Sequence, residues 1–175
     1  SERSHLAELR LNECSIAALP PAIYTAPKLK VLSLYSMPLS RLPAPAAGID
    51  SQIEEVHLSD LALTDFPVEV LALLHLRSLH LIKVPIQSLP DFQAPALAKL
   101  RFLYLSNNGL RDITDWYCGL PNLQELTFYN DVERVSDCFF RLPLRRVSLS
   151  KSRVPALLRM ALPTRLAREV HLGWL

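Results

Sequence analysis

Leucine and its aliphatic substitutes return along this chain at fixed offsets, while the residues between them change freely. The stretch "LRSLHLIKVPIQSLP" (76–90) repeats the spacing of "IEEVHLSDLALTDFP" (53–67) and of "LKVLSLYSMPLSRLP" (29–43). Aligning the second apolar position of each copy gives Leu9, Leu32, Val56, Leu79, Leu103, Leu126, Val147 and Val170, in steps of 23, 24, 23, 24, 23, 21 and 23 residues. Seven full units and the opening of an eighth cover nearly the whole chain. Self-similarity at a fixed period is the mark of stacked supersecondary units.

Within a unit, "LxLxx" alternates with period two and predicts a short strand with one buried face. The Leu-Pro that follows turns the chain outward. Segments such as "PAIYTAPK" (21–28) then predict a return arc of turn or short helix, where proline's fixed φ and missing N–H do no harm. One such strand cannot bury its leucines alone. Stacking strands about 4.8 Å apart merges them into one aliphatic spine. The expected fold is therefore an α/β repeat solenoid forming one curved domain over 1–175. Its parallel β-sheet lines the concave face, and short helices, 3-10 turns or loops form the convex face. The repeats fall at about 6–28, 29–52, 53–75, 76–99, 100–122, 123–143 and 144–165, with a partial unit at 166–175.

The full pattern, LxxLxLxx-x-xL-xxLP, is carried by Leu6, Leu9, Leu11, Ile16, Leu19 and Pro20 in unit one. Unit four carries it on Leu76, Leu79, Leu81, Ile86, Leu89 and Pro90. This resembles the leucine-rich repeat family, in its intracellular LP-type form of about 23 residues; ankyrin and tetratricopeptide units are about ten residues longer. The LP-rich units also look like those of effectors that pathogenic bacteria inject into host cells, including ubiquitin ligases whose catalytic domain follows the repeats. Ras-type and immune scaffold proteins carry similar ones. The resemblance implies protein recognition, and in a longer chain it implies substrate choice for an enzyme.

The family's asparagine, five residues beyond the aligned position, bonds the backbone of neighbouring turns. That column reads Cys14, Met37, Leu61, Val84, Asn108, Asp131 and Ser152. Met37, Leu61 and Val84 cannot make the bond, so units two to four are expected to satisfy those backbone groups otherwise and to curve less regularly. "APAAGIDSQ" (44–52) predicts a loop where unit two's outer helix would lie. Unit six is short, and its register after Phe128 stays open.

Composition sharpens this picture. Half the chain is hydrophobic but only 7% aromatic, with 14 prolines against four glycines, so the core is aliphatic and the turns are stiff. Three cysteines, Cys14, Cys118 and Cys138, lack CxxC spacing, which argues against a disulfide framework and for a reducing, cytoplasmic compartment (the host cytosol for an injected effector). No asparagine opens an N-x-S/T sequon, and no apolar run reaches membrane-spanning length. The pattern ends in mid-unit at "VHLGWL", as a segment of a longer protein with an adjacent domain would.

With the leucines inward, the intervening residues face the concave side. One column reads Arg10, Ser33, His57, His80, Tyr104, Thr127, Ser148 and His171; the next reads Asn12, Tyr35, Ser59, Ile82, Ser106, Tyr129, Ser150 and Gly173. A third includes Glu8, Val31, Glu55, Ser78, Phe102 and Glu125. Tyr35, His57, Asp60, His80, Ile82, Phe102, Tyr104 and Tyr129 are the expected partner-binding residues, because clustered aromatic and apolar groups on an open face mark interaction surfaces. Packing across the strand ladder is the competing explanation. His57 and His80 have the spacing of a metal pair, with Glu55 and Asp60 nearby, but two imidazoles alone read more simply as polar surface. No metal or cofactor is expected. Phosphate-loop, dinucleotide, zinc-protease and serine-hydrolase motifs are all missing, and no catalytic constellation emerges.

Net charge is +2, yet Arg141 to Arg168 holds eight basic residues and no acidic one, leaving 11 basic and 17 acidic elsewhere. Arg145, Arg146, Lys151 and Arg153 form an expected basic docking patch. It lacks interleaved aromatics, which disfavours nucleic acid as its target. The sequence thus reads as a non-catalytic module binding a protein partner on its concave face, with no small-molecule substrate.

Overall fold

The computed structural model describes residues 5–91, 96–150 and 169–173. Eight parallel strands form one sheet: β1 (Glu8–Asn12), β2 (Val31–Met37), β3 (Glu55–Leu61), β4 (Ser78–Ile82), β5 (Phe102–Ser106), β7 (Glu125–Tyr129), β9 (Arg146–Ser150) and β10 (Glu169–Gly173). They pair in sequence order, one per repeat. The register joins Leu9, Leu32, Val56, Leu79, Leu103, Leu126, Val147 and Val170 as Cα partners, the same row the periodicity picks out.

The alternation works as the period-two pattern requires. Leu32 and Leu34, Val56 and Leu58, Leu79 and Leu81, Leu103 and Leu105 are all buried, merging with the arc residues into one core. Unit six places Phe128 in this spine, in register with Leu105 before it and Leu149 after it. Among the described residues four arcs return as 3-10 turns: η1 (Pro21–Thr25), η2 (Val68–Ala72), η3 (Asp115–Gly119) and η4 (Asp137–Arg141). η1 starts on proline, whose φ already suits a helical first turn. The Thr114 and Ser136 side chains cap η3 and η4 by accepting from Trp116 N and Cys138 N. Residues 44–52 carry no helix, as expected, and turn at Gly48 with φ +76°.

The asparagine column is replaced by other means in units two and three, as expected, and shifts by one residue in unit six. In units two and three the strands run two residues further, and Met37 pairs with Leu61 within the ladder. Strand pairing thus supplies the backbone bonds that asparagine would have made, and the two apolar side chains join the core. In unit six the residue in the asparagine role is Asn130 rather than Asp131. Its Oδ1 accepts from Asn108 N at 2.6 Å, and Asn108 Nδ2 in turn donates to Val84 O at 2.7 Å. The cause is a missing residue. Units one to five each spend one left-handed residue leaving the strand (Glu13, Ser36, Asp60, Lys83 and Asn107), whereas unit six has none there.

A second departure concerns cysteine. Cys118 and Cys138 form a disulfide, with Cα atoms 6.0 Å apart, joining η3 to η4 across adjacent arcs. The odd count and the lack of CxxC pointed away from any bridge. They gave no sign of this pair, because it joins different positions of two successive repeats. Cys14 remains a thiol packed against the core. A short parallel pair, β6 (Asp112–Ile113) with β8 (Arg134–Val135), ties the same two units together at the sheet's margin. There Arg134 forks onto Asp112 and holds its carboxyl below the usual range.

Candidate functional site

The concave face is the outward side of the sheet, so its residues alternate along each strand with the buried apolar ones. Three rows cross it in register. The middle row brings His57, His80, Tyr104 and Thr127 side by side on β3, β4, β5 and β7. The rings of His57, His80 and Tyr104, with Tyr129 from the next row, form a continuous ladder. His57 and His80 have centroids 4.2 Å apart, His80 and Tyr104 stack at 5.3 Å and 3°, and Tyr104 meets Tyr129 edge-on at 6.0 Å. The row beyond alternates large and small: Tyr35, Ser59, Ile82, Ser106 and Tyr129. The near row runs Glu55, Ser78, Phe102, Glu125 and Arg146.

Most of the expected site residues are therefore together, but they are half-buried against one another rather than freely exposed. Phe102, at 39% exposure, and Asp60 are the exceptions. Asp60 lies off the rows, near the end of β3, where its carboxylate accepts from Ser36 Oγ at 3.0 Å. Of the basic patch, Lys151 and Arg153 lie outside the described residues. Arg146 belongs to the concave near row and pairs with Glu125 at 3.2 Å, while Arg145 beside it is exposed. His171 and Gly173 continue the rows on β10.

Electrostatically, His80 is the unusual member. Burial, reinforced by the neighbouring His57, pushes its pKa from 6.5 down to about 4, and Ser78 Oγ lies 3.0 Å from its Nε2. Tyr104 is raised above its ordinary value by burial and by Tyr129. His57 Nε2 contacts the Glu55 carboxylate at 3.4 Å. The depressed His80 has a consequence for stability. On acidification the unfolded chain takes up this proton near pH 6.5, whereas the folded chain resists it until about pH 4. Stability is full above 6.5 and falls through that window. Allowing for solvent screening at a partly open face, the loss is about 1–2 kcal/mol. Thermal melts at pH 7.5 and pH 4.5 check this. Wild type should lose several degrees more than His80→Gln across that interval, and equal losses would contradict it.

Among the described residues, the ligand atoms of Asp115, Cys118 and Cys138 lie within 4.8 Å of one another, on the convex side. With its sulfurs bonded to each other this group offers no thiolate, the form in which cysteine holds a metal. No helix of the described residues is long and apolar enough to cross a membrane.

A parallel sheet on the inner curve, arcs outside and an asparagine link between turns define a leucine-rich repeat solenoid. Comparison with known proteins agrees. The family profile described as leucine rich repeat matches residues 74–131. A chain in the structure of the Drosophila Toll–Spatzle complex, a molecular hub in development and innate immunity, is similar at 28% identity with a TM-score of 0.68. The match covers 87% of this chain and 22% of that one, so this chain spans about a fifth of its solved relative. A search of curated proteins finds no match. The chain thus has the leucine-rich repeat fold, and the family it resembles is suited to protein interaction and typically non-catalytic.

Proposed function

We propose that the concave face binds a protein partner, with no bond made or broken. The ring ladder from His57 to Tyr129, with Phe102 protruding beside it, is the observation that carries this reading. Stacked rings present a large, preordered apolar area whose ordering entropy is already spent in the fold. Surfaces of that kind supply binding hot spots. The similar solved chain belongs to a protein–protein complex, which supports a recognition role for a solenoid of this shape.

Affinity capture with the purified domain, followed by calorimetry against the captured protein, tests the proposal. The double substitution Phe102→Ala and Tyr104→Ala is expected to weaken binding by about 2 kcal/mol or more, roughly thirtyfold. Because Tyr104 is stacked and half-buried, a loss of about 1 kcal/mol in stability accompanies it and is measured alongside. Unchanged affinity would move the interface to the convex side or the ends.

A second reading makes this domain the substrate-choosing segment of a larger enzyme, such as a ubiquitin ligase or an injected effector. The small share of its solved relative that the chain spans favours a place within a longer protein. Cytosolic residence, which goes with that reading, keeps Cys118 and Cys138 as thiols. Their oxidation state in protein taken from its native compartment separates the two settings.

A further inference from the structure

Between Phe102 on β5 and Glu125 on β7, which are register partners, the concave face dips into a notch of about 150 Å³. Ser78, His80, Leu103, Tyr104 and Thr127 complete its walls. We propose that this notch is a subsite for an arginine side chain of the partner; the proposal rests on the concave-face reading and specifies its chemistry.

Three features carry it. First, the walls combine two aromatic rings with a carboxylate. A guanidinium is a flat cation that can lie over a ring while its fork reaches a carboxylate. Second, the carboxylate already shows this behaviour. Arg146 on β9, on the side of Glu125 away from Phe102, engages Glu125 Oε2 at 3.2 Å. A second guanidinium approaching from the Phe102 side finds the other edge of the same group. Third, the notch's own walls carry no cation, the nearby Arg146 guanidinium being already paired with Glu125. His80 stays uncharged at neutral pH, because burial holds it near 4. Glu55 lies in the same row two strands away and adds further negative charge. The volume suits a single side chain and is too small for a folded element.

The test uses nuclear magnetic resonance titration of the whole domain with N-acetyl-arginine-N-methylamide. The matching citrulline compound, which keeps the shape without the charge, is the control at equal ionic strength. The arginine probe is expected to shift resonances of Phe102, Tyr104, Glu125 and Thr127 saturably, with about tenfold higher affinity than citrulline. Glu125→Gln should reduce arginine to the citrulline level. Phe102→Leu, which preserves bulk but removes the ring face, should weaken arginine severalfold and leave citrulline alone. Arg146→Gln should strengthen arginine by freeing the carboxylate. Equal shifts from both probes, or arginine shifts confined to other acidic positions such as Glu54, would overturn the proposal. In either case the partner assay with the Phe102 and Tyr104 substitutions stands separately, so loss of this subsite and loss of the concave interface are distinguishable.

Discussion

Replacing Phe128 by alanine is expected to lower stability by about 3–5 kcal/mol, the largest effect of any single truncation considered. Phe128 is fully buried, the one aromatic in a row otherwise filled by leucine, flanked in register by Leu105 and Leu149. Its ring meets the buried Tyr117 edge-on at a centroid distance of 6.4 Å, linking the strand to the arc of the preceding unit. Alanine leaves a cavity between three consecutive repeats. A solenoid has no long-range contacts with which to close it, since each unit touches only its neighbours. For a chain of this size the melting temperature should fall by about 10 °C, and melting should become less cooperative as repeats on either side of unit six uncouple. Phe102→Ala is the internal control: same residue type and same sheet, but 39% exposed. Its cost should stay near 1 kcal/mol or below. Comparable losses from the two substitutions would mean that the spine does not run through Phe128.

Much of this architecture can be read directly from leucine spacing. A period-two strand repeated every 21 to 24 residues has one way to bury its apolar face, and the observed register follows the aligned positions from Leu9 to Val170. What spacing does not reveal is how neighbouring columns compensate for one another. Met37 and Leu61 look like lost asparagines, yet each makes the other's substitution tolerable by prolonging the ladder. Asn130 hides one place out of column because unit six omits a left-handed residue. On the concave face, sequence order identifies the members of each row and their adjacency. It does not show that the rings pack closely enough to half-bury themselves and depress His80. Phe102 stays exposed because its row neighbours, Ser78 and Glu125, contribute no ring to cover it.

The disulfide was the least legible feature, and it supports the second large prediction. Cys118 lies four residues past its cap, Thr114, whereas Cys138 lies two past Ser136, so no repeat alignment pairs them. Stacking of η3 on η4 does so, with a Cα separation of 6.0 Å that lies within the usual range for a bridge. Closing a loop over a sequence separation of 20 restricts the unfolded chain, and in the chain-entropy account this stabilises the fold by about 3 kcal/mol. Cys138→Ser is therefore expected to lower the stability of oxidised protein by about 2–4 kcal/mol. Under reducing conditions wild type and variant should melt nearly together, since serine replaces a surface-arc thiol at little cost. Peptide mapping without reduction should recover one linked pair containing Cys118 and Cys138, with Cys14 alone open to alkylation. Three alkylated cysteines in oxidised protein would refute the pairing. The staple joins the two units already held by the β6–β8 pair and by Asn108–Asn130, next to the strands that carry Phe102, Tyr104 and Glu125. Reduction should therefore loosen the stretch of sheet assigned here to partner binding. Affinity for the captured partner should fall on reduction in wild type and not in Cys138→Ser.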